Sequence, residues 1–338
     1  MRLLNPAMSK SMRQASGRLH RWFLLAASVC AAAGLPVHAQ TAKWPQRPVR
    51  VVVPFPPGGS TDIIARLVTQ HLTEQYGQQF VVDNRGGAGG TIGSEIAARA
   101  APDGYTLAVI PSSYASSAAL YKLSFDPVKG IDPISMIGMG AFILGVHPSV
   151  KASNLKEFIE VLRARPGAIN FASPGTGSTP HLAAELLKQM SGTDFTHVPY
   201  KGDSPALTEL LAGQMHMMIA SGPVFLPHIK AGKVRPLAVT TAKRSAVLPE
   251  LPAISEAYPG FSASGWNGML APSGTPKDII NRLNRSIADF LKRPDIQERL
   301  RADSREAIHT TPEEFARIIA SEIATWTKVV KTGNIKIN

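Results

Sequence analysis

Two glycine-rich turns carry the residues best suited to holding a small anion. The first is Pro57-Gly58-Gly59-Ser60-Thr61-Asp62, leading into Ile63, Ile64, Leu67, Val68 and Leu72 at helical spacing. The second is Pro174-Gly175-Thr176-Gly177-Ser178-Thr179-Pro180, leading into Leu182, Ala183, Leu186 and Leu187. Ser or Thr suits the N-cap of each helix, and Pro180 suits the first helical position, where its missing N–H is no loss. A helix N-terminus presents unpaired N–H groups and about half a unit of positive charge, so it attracts anions. Either turn alone reads equally well as an ordinary strand-to-helix connection. Two of them, about a domain apart, point to a clamp for a carboxylate or phosphate.

The elements that must position these turns alternate between strand-like and helix-like, which predicts an α/β fold with mostly parallel sheets flanked by helices. Val49–Val53 reads as a strand and Ile63–Tyr76 as a helix; Phe80-Val81-Val82 and Tyr105–Ile110 are further strands, with a helix over Thr91–Ala101. Ile169–Ala172, Thr196-His197-Val198, Met215–Ile219 and Val234–Thr240 repeat the pattern, alternating with helices over 179–190, 205–212 and 224–231. From Thr275 onward the chain reads as helical. Phe142–Val146 and Trp266–Ala271 are the strands expected to carry the chain into a second lobe and back. The first lobe is then discontinuous, 43–142 with 267–338, and the second spans 143–266.

Residues 1–39 read as a signal peptide. Arg2, Lys10, Arg13, Arg18 and Arg21 form a basic segment without an acidic residue, Trp22 to Leu35 is apolar, and Val37-His38-Ala39 is a small-x-small cleavage site. The apolar run is shorter than the roughly 20 residues a membrane span needs. The expected location is therefore the periplasm. Of 338 residues, 36 are basic and 24 acidic; five of the basic ones lie in the leader, so the remaining 299 residues carry a formal charge of +7. That charge is scattered, which argues against a nucleic-acid partner and mildly favours anionic ligands. Cys30, the only cysteine, lies in the leader, so no disulfide or cysteine metal site is expected beyond it.

Several chemistries lack their residues. Gly87-Ala88-Gly89 follows a strand, but a dinucleotide fingerprint needs glycine where Ile92 stands, and no Gly-Lys-Ser/Thr follows either turn. There is no Gly-x-Ser-x-Gly elbow and no His-Glu-x-x-His. Ser178 and His181, three apart in a first turn, read as a cap and a packing or site-lining residue rather than nucleophile and base. The chain reads as a binding protein, not an enzyme, with no cofactor and no metal. Ser112-Ser113-Tyr114 and Tyr200-Lys201-Gly202 follow strands at their carboxyl ends, where ligands of open α/β sheets bind. Ser112 and Ser113 serve there either as contacts or as helix caps.

These segments resemble the substrate-binding proteins of tripartite tricarboxylate transporters, the Bug proteins. The likeness is carried by Val52 to Asp62, Val82 to Gly90, Pro174 to Ser178, His181-Leu182-Ala183, Val198 to Gly202, Pro227 to Arg235 and Leu270 to Pro276. The resemblance implies a two-lobed Venus flytrap of the periplasmic-binding-protein type that holds a small organic acid without covalent chemistry. It places the carboxylate grip on Phe55, Gly58, Gly59, Thr61, Asp62, Ser173, Thr176 and Ser178, and a variable side on Ser112, Ser113, Tyr200 and residues near Pro223; Ser60, Gly177 and His181, in or beside the two turns, are further candidate ligand-binding residues. Many relatives carry an acid or amide after the strand at 215–219, where this chain has Ser221-Gly222-Pro223, so a ligand ammonium lacks that partner. The implied partners are membrane permease subunits or, alternatively, a receptor kinase; the chain is expected to be a monomer.

Overall fold

In the computed structural model, which describes residues 44–336, strands and helices alternate along the chain. The leader read over 1–39 lies outside the described residues. Strand β1 (Val49–Val53) has four valines, all with no solvent exposure. A β-branched run buried on both faces suits a strand between two helical layers. It pairs in parallel with β2 (Phe80–Asn84) and β3 (Thr106–Pro111). Helix α1 (Ser60–Tyr76) buries Ile64, Ala65, Val68 and Leu72 and ends at Gly77, whose φ of 68° costs glycine little. Helices α2 (Thr91–Ala98) and α3 (Ser113–Leu120) follow β2 and β3.

The central element is β4 (Ile131–Val146), sixteen residues long. Its first part runs antiparallel to β9 (Ser264–Pro272), from Ile131 opposite Pro272 to Ala141 opposite Ser264. From Phe142 to Val146 its neighbours are instead β7 (Met217–Ser221) and β8 (Arg235–Val239). β5 (Asn170–Ser173) and β6 (Thr196–Pro199) extend the second sheet in parallel beyond β7. The order is β2-β1-β3-β9-β4-β7-β5-β6, with β8 and the short β10 (Arg305–Ala307) both added to β4. The sheets are thus mixed rather than mostly parallel. Parallel pairing holds within the strand-helix-strand units, and pairing turns antiparallel wherever β4 or β9 takes part. Only half of β4 is recognisable as a strand by its apolar run; Pro133, Gly138 and Gly140 interrupt the rest, where the register with β9 shifts twice.

Helices α4 (Leu155–Ala164), α5 (Thr179–Ser191), α6 (Asp203–Leu211) and α7 (Gly222–Lys230) accompany the second sheet, and short α8 (Ile254–Ala257) precedes β9. The C-terminal segment holds α9 (Lys277–Lys292), α10 (Pro294–Ala302) and α11 (Pro312–Thr332). Ile279, Ile280, Leu283, Ile287, Phe290 and Leu291 form the buried stripe of α9. Helix α11 begins with a capping box, Thr311 and Glu314 exchanging hydrogen bonds with each other's backbone N–H. It lays Phe315 and Trp326 into the core.

The second turn is fixed from beneath by two stacked imidazoles. The His181 and His197 rings lie 4.0 Å apart. His181 Nδ1 accepts the Gly177 N–H at 3.1 Å, and His197 Nε2 meets Ser173 Oγ at 2.6 Å. Burial, and then the neighbouring His197, depress His181 to about 3; burial, with Lys188, depresses His197 to about 4. Both rings are neutral at pH 7, which is what lets His181 act as an acceptor.

Two outcomes follow from this packing. A Cβ on Gly268 would overlap the Phe315 ring and approach Ser135 O to 3.0 Å. Gly268→Ala should therefore cost about 1–3 kcal/mol, as overpacking does; an unchanged urea midpoint would contradict this contact. For the imidazoles, the unfolded chain takes up protons near pH 6.5 while the folded pair resists them. Their stabilisation is fully present above that value and is lost as pH falls toward 4. Asp203 and Glu322, raised by burial to about 6 and about 7, act in the opposite sense. The comparison is accordingly with His197→Gln: the parent should lose stability relative to this variant between pH 6.5 and 4.5. Parallel pH profiles would mean the rings are hydrated.

Candidate functional site

Gly59, not a hydroxyl residue, is the N-cap of α1, and no side chain caps that end. The expectation of a Ser or Thr cap fails there because Asp62 does the work from inside the first turn. Its carboxylate accepts the Gly58 N–H and Arg66 Nε, each at 3.0 Å, and Asn84 Nδ2 at 3.0 Å. Burial pushes this carboxyl up, but the bonds from Arg66, Gly58 and Asn84 outweigh it and hold it below the usual carboxylate range. Asp62 is thus the brace of the turn. Gly58 takes a φ of 81°, which its neighbours' geometry requires and which suits glycine. The braced turn presents Ser60 and Thr61, with Phe55, to a small cavity of about 40 Å³.

The other walls come from several distant segments. Pro111, Ser112 and Ser113 arrive from the end of β3, and Phe142 and Ser221 from the β4–β7 pair. Pro174 and Pro180 come from the second turn, Asp203 from the start of α6, and Trp266 and Asn267 from β9. Arg305 completes the wall from β10. Gly140 and Gly222 leave room for the 303–304 backbone that delivers it; a Cβ on Gly140 would lie 2.6 Å from Ser304 O.

The second turn differs from the expected set of open donors. Ser178 is a true N-cap, its hydroxyl accepting the His181 N–H, and Pro180 occupies the second helical position rather than the first. The Gly175 N–H goes to Ser173 Oγ, the Gly177 N–H to His181, and the Thr179 N–H to Ser113 Oγ at 3.1 Å. Ser116 and Ser117 donate to the Gly177 carbonyl at 2.7 and 3.1 Å, and Ser112 Oγ meets Thr179 Oγ1 at 3.0 Å. The serine-rich start of α3 therefore satisfies the turn. Ser112 holds the N-cap position of α3 without a side-chain cap bond, and Ser112, Ser113, Ser116 and Ser117 serve the turn instead, which single positions in the sequence do not reveal.

Arg305 is the strongest charge in the cavity and is only 5% exposed. Nη1 donates to Asn267 Oδ1 at 2.7 Å and Nη2 to Ser60 Oγ. Nε is buried with no hydrogen-bond partner among the described residues, as is Ser221 Oγ. Burial lowers Arg305 to about 10, against the opposing pull of Asp303 and Asp203, so it stays cationic. Asp203 lines the same cavity; burial raises its carboxyl to about 6 despite Arg305 and the nearby Ser60 N–H.

Of the sequence candidates, Phe55, Ser60, Thr61, Ser112 and Ser113 are brought together here. Thr176 and Tyr200 line a neighbouring opening of about 210 Å³, shared with Phe55 and the Gly87–Gly90 turn. Gly58, Gly59, Asp62, Ser173, Gly177, Ser178 and His181 build the turns rather than either wall, and Pro223 lies in the first turn of α7. Sequence reading missed Asp203, Asn267 and Arg305, and it named Ser221 only as the residue standing where relatives carry an acid or amide. Asn267, a polar residue inside an apolar strand, carried a signal; Arg305, in a tail read as helical, carried none. Among the described residues, no group of three or more His, Cys, Asp or Glu is placed to hold a metal.

A family profile described as "Tripartite tricarboxylate transporter family receptor" matches residues 64–335. The BugT protein of Bordetella pertussis is 38% identical over 311 residues, covering 91% of this chain and 95% of BugT. The R. palustris protein Rpa4515, solved with adipate, superposes with a TM-score of 0.83 at 39% identity, over 87% of this chain and 99% of that one. The periplasmic binding protein BugD gives a TM-score of 0.82 at 33% identity, over 87% and 99%. Sequence and two-lobed fold agree: this chain belongs to the receptor family of the tripartite tricarboxylate transporters, that of the Bug proteins.

Proposed function

We propose that this chain is a periplasmic receptor that closes on a small organic carboxylate and presents it to the membrane subunits of a tripartite tricarboxylate-type transporter. The observation that carries this reading is the composition of the cavity wall. It combines a buried guanidinium, the braced N-terminus of α1 and hydroxyls from two further segments, Ser112-Ser113 and Ser221. Such a wall is rich in donors, its one carboxylate, Asp203, offset by the guanidinium, and it suits an anion held by charge-assisted hydrogen bonds at the helix end and Arg305. The adipate seen on the R. palustris relative supports the same ligand class. No helix among the described residues is long and apolar enough to cross a membrane, so the membrane step falls to partners.

Closure is part of the proposal. The lobes, 43–142 with 267–338 and 143–266, turn about the strands at Phe142–Val146 and Trp266–Ala271, and the ligand selects the closed form to the extent that it binds that form better. β4 and β9 are continuous across that region, so they suit a bending hinge.

A thermal-shift panel of short organic acids should raise the melting temperature for at least one member, because a ligand that binds only the native state stabilises it. Its amide or ester should bind more weakly by about 1.5 kcal/mol or more; equal calorimetric affinity for acid and amide would defeat the carboxylate reading. In solution scattering, the radius of gyration should fall on saturation with that acid. An unchanged radius would indicate a preclosed site.

A further inference from the structure

On the carboxylate-binding reading above, one acid group of the ligand meets the N-terminal turn of α1, where Ser60 and Thr61 line the cavity. That leaves Arg305 to be accounted for. A guanidinium offers five donors, and here two of its nitrogens meet acceptors, Asn267 Oδ1 and Ser60 Oγ, while Nε meets none. An orphaned donor on a cation that is 5% exposed is costly to keep. The Ser221 hydroxyl, 5% exposed and lining the same cavity, is likewise without a partner. Two unsatisfied donors on one wall mark a place for acceptor oxygens.

Asp203 faces this wall. No ion-pair contact joins it to Arg305; the Ser60 N–H, in the first turn of α1, is near enough to draw its carboxyl down. Gly59 adjoins it, a Cβ there coming into ordinary contact with Asp203 Oδ2 at 3.5 Å. A carboxylate of the chain thus lines the cavity beside an anion-attracting helix end, within electrostatic reach of the cation. Its charge offsets Arg305 there and repels any second carboxylate that enters.

We infer that Arg305, together with the Ser221 hydroxyl, is the specificity-determining subsite for a second acid group on the ligand, and that Asp203 is an internal stand-in for that group, setting how strongly the subsite favours a dianion over a monoanion. This rests on the carboxylate-binding reading above. A bound diacid places one carboxylate at the turn and the other on Arg305 Nε and Ser221, displacing Asp203 from its counterion role. Ligands with a single carboxylate leave Arg305 to Asp203 and draw nothing from the subsite. The ratio of the two affinities, rather than either alone, therefore reads the pair.

The test is calorimetry at pH 7.5 on the mature chain with linear diacids of four to eight carbons, adipate among them, each against its monomethyl ester. In Asp203→Asn, which preserves shape and removes the charge, the diacid-to-monoester affinity ratio should rise at least tenfold over the parent. In Arg305→Gln that ratio should fall close to one; Arg305→Lys, which keeps the charge without the Nε donor, should fall between. A melting temperature within a few degrees of the parent's certifies each variant, and Asp203→Asn suffices should the Arg305 variants fail to fold. An unchanged ratio in Asp203→Asn overturns the inference while leaving the carboxylate receptor intact. Binding of no acid by either parent or Asp203→Asn overturns both.

Discussion

The backbone of one long strand governs this molecule. β4 gives its first eleven residues to β9 and its last five to β7 and β8, so a single element satisfies the edges of two sheets. Buried backbone groups must be paired, and a strand that changes partners midway does this only if it bends. The register shifts along β4 and the glycines at 138, 140 and 145 supply the bend. They also leave space for what crosses it: Arg305 packs over Gly140, and Phe225 and Val234 over Gly145. The cavity lies where β4 passes from one partner to the next, with Phe142 and Ser221 paired at its edge.

Charge is handled in the same economical way. One carboxylate, Asp62, is consumed in bracing the first turn, and its three donors leave it no further role. A neutral imidazole, His181, accepts the N–H of Gly177 in the second turn, which a protonated ring could not do. Burial that would be a penalty for a charged histidine is therefore a requirement here. Only Arg305 and Asp203 bring full charges to the cavity wall, and Ser60 lies beside both, bonded to Arg305 through Oγ.

Much of this was legible in the residues. Val49–Val53 and the stripe of α9 are readable because burial on a regular element imposes a regular apolar pattern. The two turns were readable because glycine and hydroxyl residues cluster where a chain reverses into a helix. What escaped was non-local. Nothing adjacent to Arg305 says that a three-residue strand will place it against Gly140, or that Ser60, 245 positions earlier, will receive it. The serine run at the start of α3 was visible, but that it would face Gly177 and Thr179 depends on how the sheets approach one another. The antiparallel pairing of β4 with β9 was hidden for the same reason, since strand order is written in tertiary contacts and not in local period.

The contact between the serines of α3 and the second turn is made almost wholly of hydroxyls. Each such bond is nearly balanced by the water it replaces, with a net worth of about 0.5–1.5 kcal/mol. An apolar seam of similar extent would have no comparable replacement in solvent and would resist separation. A seam of hydroxyls can be undone one bond at a time, each oxygen exchanging a protein partner for water, so parting it meets no single large barrier. Such a contact therefore adds little resistance of its own to the separation of the two segments it joins.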